Sequence, residues 1–250
     1  MSQKLKNAFR KLAKSMVLFG RASNRPALLR FGVGAAIEHD AVLRARPLEL
    51  IIDIGANRGQ FSLAARYFHP TARIIAFEPL ASAAGIYRKI FASDALVELH
   101  ETAIGPAAGT ATMQRSGKED SSSLLPIGNS MPELYPGTQA IGTEEVSIAP
   151  LTDFLSDADL AARNLLKIDV QGYELEVLRS AESLLPHFDQ IYLEASFIPF
   201  YEGQVMADEL VAYLQAHGFK IAGIMNATAH PASGLTVQAD LLFVNPARQR

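Results

Sequence analysis

The chain has 250 residues, 49% of them hydrophobic and 8% aromatic, with no cysteine. Such a length and composition suit one folded α/β domain with an appendage and exclude a disordered chain, while the missing thiols exclude disulfides, thiolate metal sites and a cysteine nucleophile. The formal net charge of −3 hides an asymmetry: Lys4, Lys6, Arg10, Lys11, Lys14, Arg21, Arg25 and Arg30 all precede the first acid, Glu38. An anionic partner is therefore expected for the N-terminal arm alone, and nucleic acid is not expected, because its enzymes spread basic charge over the whole binding face.

Along the arm, Leu5, Phe9, Leu12, Met16 and Phe19 recur at spacings of three and four, which predicts an amphipathic helix over residues 4–19. Its apolar stripe has two readings, packing on the body or lying in an anionic membrane surface. A second short helical segment, ending near Arg44, completes an N-terminal extension over residues 1–45, followed by one domain over 46–250. No run approaches the roughly 18 apolar residues of a membrane span, and charges interrupt every apolar stretch of a would-be signal peptide. The expectation is a cytoplasmic protein, peripheral to the inner membrane surface if the arm binds lipid.

From Leu48 the chain alternates strand and helix. Leu50–Ile54 is a continuous apolar run, as in a strand buried on both faces. A helix follows over Phe61–Phe68, then a strand over Arg73–Phe77, a helix over Ala81–Ser93 and a strand over Val97–His100. Residues 105–150 break the pattern with glycines, prolines and the run Ser121-Ser122-Ser123; Thr110–Gln114 and Glu145–Ile148 read as short edge strands around a long loop. Long loops within compact domains are usually functional, so this one reads as a lid or substrate-shaping insertion. Alternation resumes with a helix near Leu151–Leu155, a strand over Leu165–Asp169, a helix over Tyr173–Ala181 and a strand over Gln190–Glu194. A helix over Ala207–His217 and strands over Phe219–Met225 and Val237–Val244 complete it, the last fitting an antiparallel return. The pattern predicts a doubly wound α/β sheet that binds its ligand at the carboxyl edge of the strands.

Asp53, Asp169 and Glu194 end strands, and Glu78 lies just past another, so these acids converge on that edge. Convergent acids repel unless a ligand, amide groups or a cation answers them. Gly55-Ala-Asn-Arg-Gly59 forms a tight turn after the first strand, where glycine permits the sharp backbone and leaves no Cβ in a ligand's way. Glu78, 23 residues after Gly55, can accept two hydrogen bonds from ribose hydroxyls. Asn57 stands where a dinucleotide fingerprint has its second glycine, which disfavours a pyrophosphate there. S-adenosylmethionine has no phosphate, and Asp53 would contact its methionyl ammonium or order the turn. In the second block, Leu166-Lys-Ile-Asp169-Val-Gln-Gly172-Tyr-Glu174, a strand ends in an acid, turns at a glycine and opens a helix with acids that favour its positive end.

These blocks, with Phe77-Glu78-Pro79 and Tyr192-Leu-Glu194, resemble the FkbM-type family of S-adenosylmethionine-dependent methyltransferases over about residues 48–245. The resemblance implies a class I methyltransferase fold, a Rossmann-like seven-stranded sheet with its last strand antiparallel. It implies methyl transfer, typically to a hydroxyl of a sugar, glycan, glycolipid or secondary metabolite. Asp53, Gly55, Asn57 and Gly59 then match the cofactor turn, Glu78 with Pro79 the ribose-binding segment, and Thr102 and Ala103 the segment against adenine. Asp169 and Gly172 match the motif beside the transferred methyl; many relatives carry Glu where Gln171 stands. A base for the acceptor hydroxyl is sought among Asp169, Glu194 and His230, with His100 further off. A magnesium ion bridging Asp169 and Glu194 stays open as an alternative, though no residue is assigned as a metal ligand. Aromatics of Phe197-Ile-Pro-Phe-Tyr201 would stack on a sugar or pack beneath the insertion. Two rival readings are a nicotinamide-dependent oxidoreductase, disfavoured by Asn57, and a non-catalytic, membrane-associated cofactor-binding protein.

Overall fold

The computed structural model describes residues 20–21 and 24–248; the helix expected over residues 4–19 lies outside them. Strands β1 (Leu50–Ile54), β2 (Arg73–Phe77) and β3 (Val97–His100) pair in parallel, and β7 (Asn164–Ile168) and β8 (Gln190–Ser196) continue the sheet on the other side of β1. With β9 (Lys220–Ala229) and β10 (Thr236–Val244), the sheet order is β3-β2-β1-β7-β8-β10-β9. Strand β10 runs antiparallel to both its neighbours. All five residues of β1 are buried, as the unbroken apolar run requires. The chain leaves β1 towards β2 on one side and later returns to β7 on the other. This topological switch opens a crevice over the carboxyl end of β1.

Alternate residues of each strand serve opposite faces of the sheet. On one face, Ile52, Ile54, Leu166 and Ile168 pack with Val177 and Leu178 of helix α6 (Glu174–Ser180) and Leu210 and Leu214 of α7 (Ala207–Ala216). On the other, Ile51, Ile74, Leu165 and Tyr192 meet Phe61 of α3 (Gln60–Phe68) and Tyr87 of α4 (Ala81–Ile90). Helices α1 (Arg25–Phe31) and α2 (Asp40–Arg44) join that second core through Ala27, Val42 and Leu43. Residues 25–45 of the expected extension are therefore packed into the domain.

The expected long loop holds more regular structure than its glycines announced. Strands β5 (Gly109–Ser116) and β6 (Ala140–Ala149) pair antiparallel and, with β4 (Ala103–Ile104), form a separate three-stranded sheet, with helix α5 (Ser130–Leu134) inserted between. Met113 and Val146 turn inward against Leu80 and Ala83, which anchors the hairpin to the body. The helix expected over Leu151–Leu155 is a single 3-10 turn, Leu151–Asp153, and α4 stops at Ile90 rather than Ser93.

Candidate functional site

A cavity of about 250 Å³ opens over the carboxyl ends of β1, β2 and β7, with Gly55, Asn57, Glu78, Thr102 and Asp169 in its wall. Pro79 and Ala103 line it too, while Met113, Asp120 and Leu124 of the insertion roof it and His39 and Phe61 close one side.

The glycine turn is stapled to both neighbouring strands. The amides of Gly55 and Ala56 donate to Phe77 O at 3.0 Å, and Asp169 N donates to Ile54 O at 3.1 Å. Gly55 has φ +75°, and a Cβ there would stand 1.8 Å from the carbonyl oxygen of Asp169. At Gly59, with φ +95°, a Cβ would meet the rings of Phe91 and Tyr87. The sequence expectation gave both glycines two roles, a sharp turn and clearance for a ligand. Their positive φ fits the turn, but the space at each is taken by protein packed against it, and Gly59 is not among the cavity's lining residues. Asn57 adopts φ +48°, a left-handed conformation that asparagine tolerates. Its Oδ1 accepts from Arg58 N at 2.7 Å.

Glu78 accepts one backbone donor on each oxygen, Asn57 N on Oε2 and Leu80 N on Oε1, both at 2.8 Å. Each oxygen keeps a lone pair for a ligand hydroxyl. Burial pushes its carboxyl up to about 7 against the pull of those two amides.

Asp53 does not reach the cavity. It is fully buried beneath the turn, where Oδ2 accepts from Ser62 at 2.7 Å and Oδ1 stands 3.1 Å from Lys167 Nζ. Lys167 donates to Gly55 O at 2.9 Å and lies 3.6 Å from Asp169. Burial works against this ammonium, but the charges of Asp53 and Asp169 outweigh it and hold the pKa above the usual lysine range. Of the two roles considered for Asp53, its position matches ordering the turn.

Asp169 faces the cavity, and Glu194 lies behind it. The link is Gln171, whose Nε2 donates at 2.8 Å to both Asp169 Oδ1 and Glu194 Oε2. The side-chain amide thus lies between the two acids for which a bridging magnesium was considered. Burial, then the neighbouring charge of Asp169, holds Glu194 well above the ordinary carboxylate range. Gln171 itself has φ +59°, its Oε1 is 2.8 Å from the Tyr201 hydroxyl, and its carbonyl accepts from Ser123 Oγ at 2.6 Å. The serine run thus has a role that local sequence did not reveal: it ties the insertion to the turn after β7. Glu174 folds back from the first turn of α6 to accept the amides of Val170 and Gly172, at 3.2 and 3.0 Å. Phe200 and Tyr201 are buried under the insertion with Met131 and Val237, so packing holds for them; Phe197 is exposed.

His230 is not brought to the site. It sits between β9 and β10, where its Nδ1 accepts from the amides of Ala232 and Ser233. His100, at the end of the edge strand β3, stacks on Phe77, 5.1 Å between centroids, and pairs with Glu98; it is not among the cavity's lining residues. The histidine that does line the cavity is His39, overlooked in the sequence because it belongs to the extension. Its Nδ1 is 2.9 Å from the Tyr192 hydroxyl, which donates to Asp240 Oδ2 at 2.7 Å. Asn226 Nδ2 also donates to that oxygen at 2.7 Å. Burial raises Asp240, and these two hydrogen bonds oppose the rise.

Residues 53–221 match the Methyltransferase FkbM domain. The chain is 28% identical over 204 residues to the 31-O-demethyl-FK506 methyltransferase FkbM of Streptomyces tacrolimicus, spanning 70% of this chain and 74% of that protein. It is 29% identical over 170 residues to the 2-O-methyltransferase NoeI of Sinorhizobium fredii (strain NBRC 101917 / NGR234), spanning 65% and 70%. Among solved structures it is similar to the precorrin-6y C5,15-methyltransferase of Geobacter metallireducens GS-15, at 16% identity and a TM-score of 0.43, covering 83% of this chain and 84% of that one. With the match spanning the glycine turn, Glu78, Asp169 and Glu194, the chain belongs to the FkbM methyltransferase family.

Proposed function

We propose that this methyltransferase moves the methyl group of S-adenosylmethionine to a hydroxyl oxygen on a sugar, glycan, glycolipid or other secondary metabolite. The observation that carries the cofactor is Glu78: a buried carboxylate at the cavity wall, with one backbone donor on each oxygen and a free lone pair beside it. That pair of acceptor oxygens fits the two hydroxyl donors of a ribose diol. Asn57 in the turn and Thr102 with Ala103 on the adjoining wall would hold the rest of the nucleoside, and Asp169 would face the reacting end. The cofactor supplies an electrophilic methyl group, and the protein's task is alignment and removal of one proton. The two relatives named for O-methylation support the hydroxyl acceptor.

Calorimetry separates this reading from a nicotinamide enzyme: S-adenosylmethionine should bind and NAD should not, and the opposite result would sink the proposal. Glu78→Ala is expected to weaken binding of S-adenosylhomocysteine by about 100-fold, the scale of two hydrogen bonds to a charged acceptor. Because two hydroxyl donors require the ionised carboxylate, and burial places its pKa at about 7, affinity should fall as pH drops. Binding at pH 6 should be roughly tenfold weaker than at pH 8, with proton release on binding near neutrality. A flat profile from pH 6 to pH 8 would contradict that role.

The basic arm supports a peripheral contact with anionic lipid. Among the described residues, no helix is long and apolar enough to cross a membrane. Flotation with vesicles containing phosphatidylserine should carry the full-length protein and not a version beginning at Gly20, which keeps Ala27, Val42 and Leu43 in the core. Equal partitioning of the two would remove lipid from the reading.

A further inference from the structure

The cavity runs along the sheet edge from Glu78, past the turn over β1, to Asp169 after β7. His39 lines it as well, on the side of the strands beyond β7. Its ring is tethered to Tyr192 on β8 and to Asp240 on β10, the strands that follow β7 in the sheet order. If Glu78 holds the ribose, the acceptor must arrive at this far end. We propose that His39 is the catalytic base of the methyl transfer, taking the acceptor's hydroxyl proton on Nε2, and that Tyr192 and Asp240 position it.

The tautomer follows from the hydrogen bonds. Burial, reinforced by Asp240, drives the Tyr192 phenol far above its usual range, so it stays protonated. Its single proton goes to Asp240 Oδ2, and the phenol oxygen is left to accept, from His39 Nδ1 at 2.9 Å and more weakly from Asn226 Nδ2 at 3.3 Å; Asn226 Nδ2 is 3.5 Å from Nδ1 itself, longer than the Tyr192 contact. Nδ1 therefore carries the imidazole proton and Nε2 keeps its lone pair. The ring plane is held by edge-on contacts with Phe61 and Tyr192, at 5.4 and 5.5 Å between centroids. Asp240, 3.5 Å from Nδ1, stands ready to stabilise the imidazolium that forms.

The other candidates are placed less well. Asp169 is engaged by Gln171 and faces Lys167. Glu194 lies behind Gln171, outside the cavity's lining, and His230 is in a distant turn. His39 is the imidazole in the cavity wall among the described residues. In the step itself, the acceptor oxygen bonds the methyl carbon as the carbon–sulfur bond breaks. That bond's electron pair stays on sulfur, and the oxygen's proton moves to Nε2 and then to water. Charge balances, because the sulfonium is neutralised as one proton is released.

The inference rests on the proposed function, and the experiment keeps their failures apart. Calorimetry of the wild-type protein with S-adenosylhomocysteine tests the cofactor reading alone. Nitrogen-15 NMR of the histidine rings, at a pH where His39 is neutral, tests the base without any acceptor. His39, assigned by its loss in His39→Gln, should show Nδ1 protonated, the minor tautomer of free histidine, and Tyr192→Phe should return it to the Nε2–H form. An Nε2–H tautomer in the wild type would overturn the proposal, because the lone pair would then sit on Nδ1, against the Tyr192 hydroxyl. His39→Gln should bind S-adenosylhomocysteine within about twofold of wild type. With labelled S-adenosylmethionine and whichever members of a methyl-glycoside panel the wild type methylates, its kcat should fall by about 100-fold or more with little change in cofactor KM. An unchanged kcat would equally overturn the assignment.

Discussion

Gly55→Ala should leave the protein unable to form its site, with a stability loss of about 3 kcal/mol or more. The added Cβ would lie 1.8 Å from the Asp169 carbonyl oxygen, a main-chain atom that cannot swing aside. Relieving the contact means separating the ends of β1 and β7, which are joined there by Asp169 N donating to Ile54 O. The left-handed φ of +75° adds its own cost of about 1–2 kcal/mol. Gly59→Ala is the internal comparison: its Cβ would press on the rings of Phe91 and Tyr87, which can shift. Urea denaturation should therefore rank Gly55→Ala well below Gly59→Ala. Equal or reversed losses would mean that the β1–β7 crossing is looser than described.

Lys167→Met should cost about 3–5 kcal/mol, because it strands a buried carboxylate. Asp53 has no exposed surface and would keep only the Ser62 hydroxyl, while Gly55 O would lose its ammonium donor. The ion pair raises the lysine's folded pKa. A raised lysine pKa gives stability that is complete below the unfolded value and lost only as pH climbs through the folded one. The mutational loss should thus be as large at pH 6 as at pH 8. Adding Asp53→Asn to Lys167→Met should recover part of it, since the amide needs no counter-charge. A loss under about 1 kcal/mol for the single variant would show that water or backbone dipoles already satisfy Asp53.

The parts of this fold that were legible in the sequence are those with local causes. Strands buried on both faces must be continuous apolar runs, so Leu50–Ile54 and Arg73–Phe77 stood out with their observed bounds. A turn that forces positive φ selects glycine or asparagine, so the Gly55–Gly59 segment announced itself too. What stayed hidden depends on partners far along the chain. His39 lies in the extension, and its partners Tyr192 and Asp240 are more than 150 residues away. The Glu38-His39-Asp40 triplet, polar in an apolar approach to the first strand, was the available signal. Gln171 looked like a departure from a family acid, whereas its amide separates two carboxylates that its own sequence neighbourhood does not bring together. Gly55 was legible as a glycine but not for its reason, because Asp169 crosses it from the other half of the sheet.

Glu119, in the 3-10 turn Glu119–Ser121 of the insertion, pairs with Arg58 at 2.7 Å and accepts from Ser82, while Ser123 a few residues on grips Gln171. A single stretch of chain thus bridges the nucleoside end and the reacting end. On the proposed function, a substitution that breaks the Glu119–Arg58 pair would loosen the wall at the nucleoside end and, through the same stretch of chain, the Ser123 tie at the reacting end.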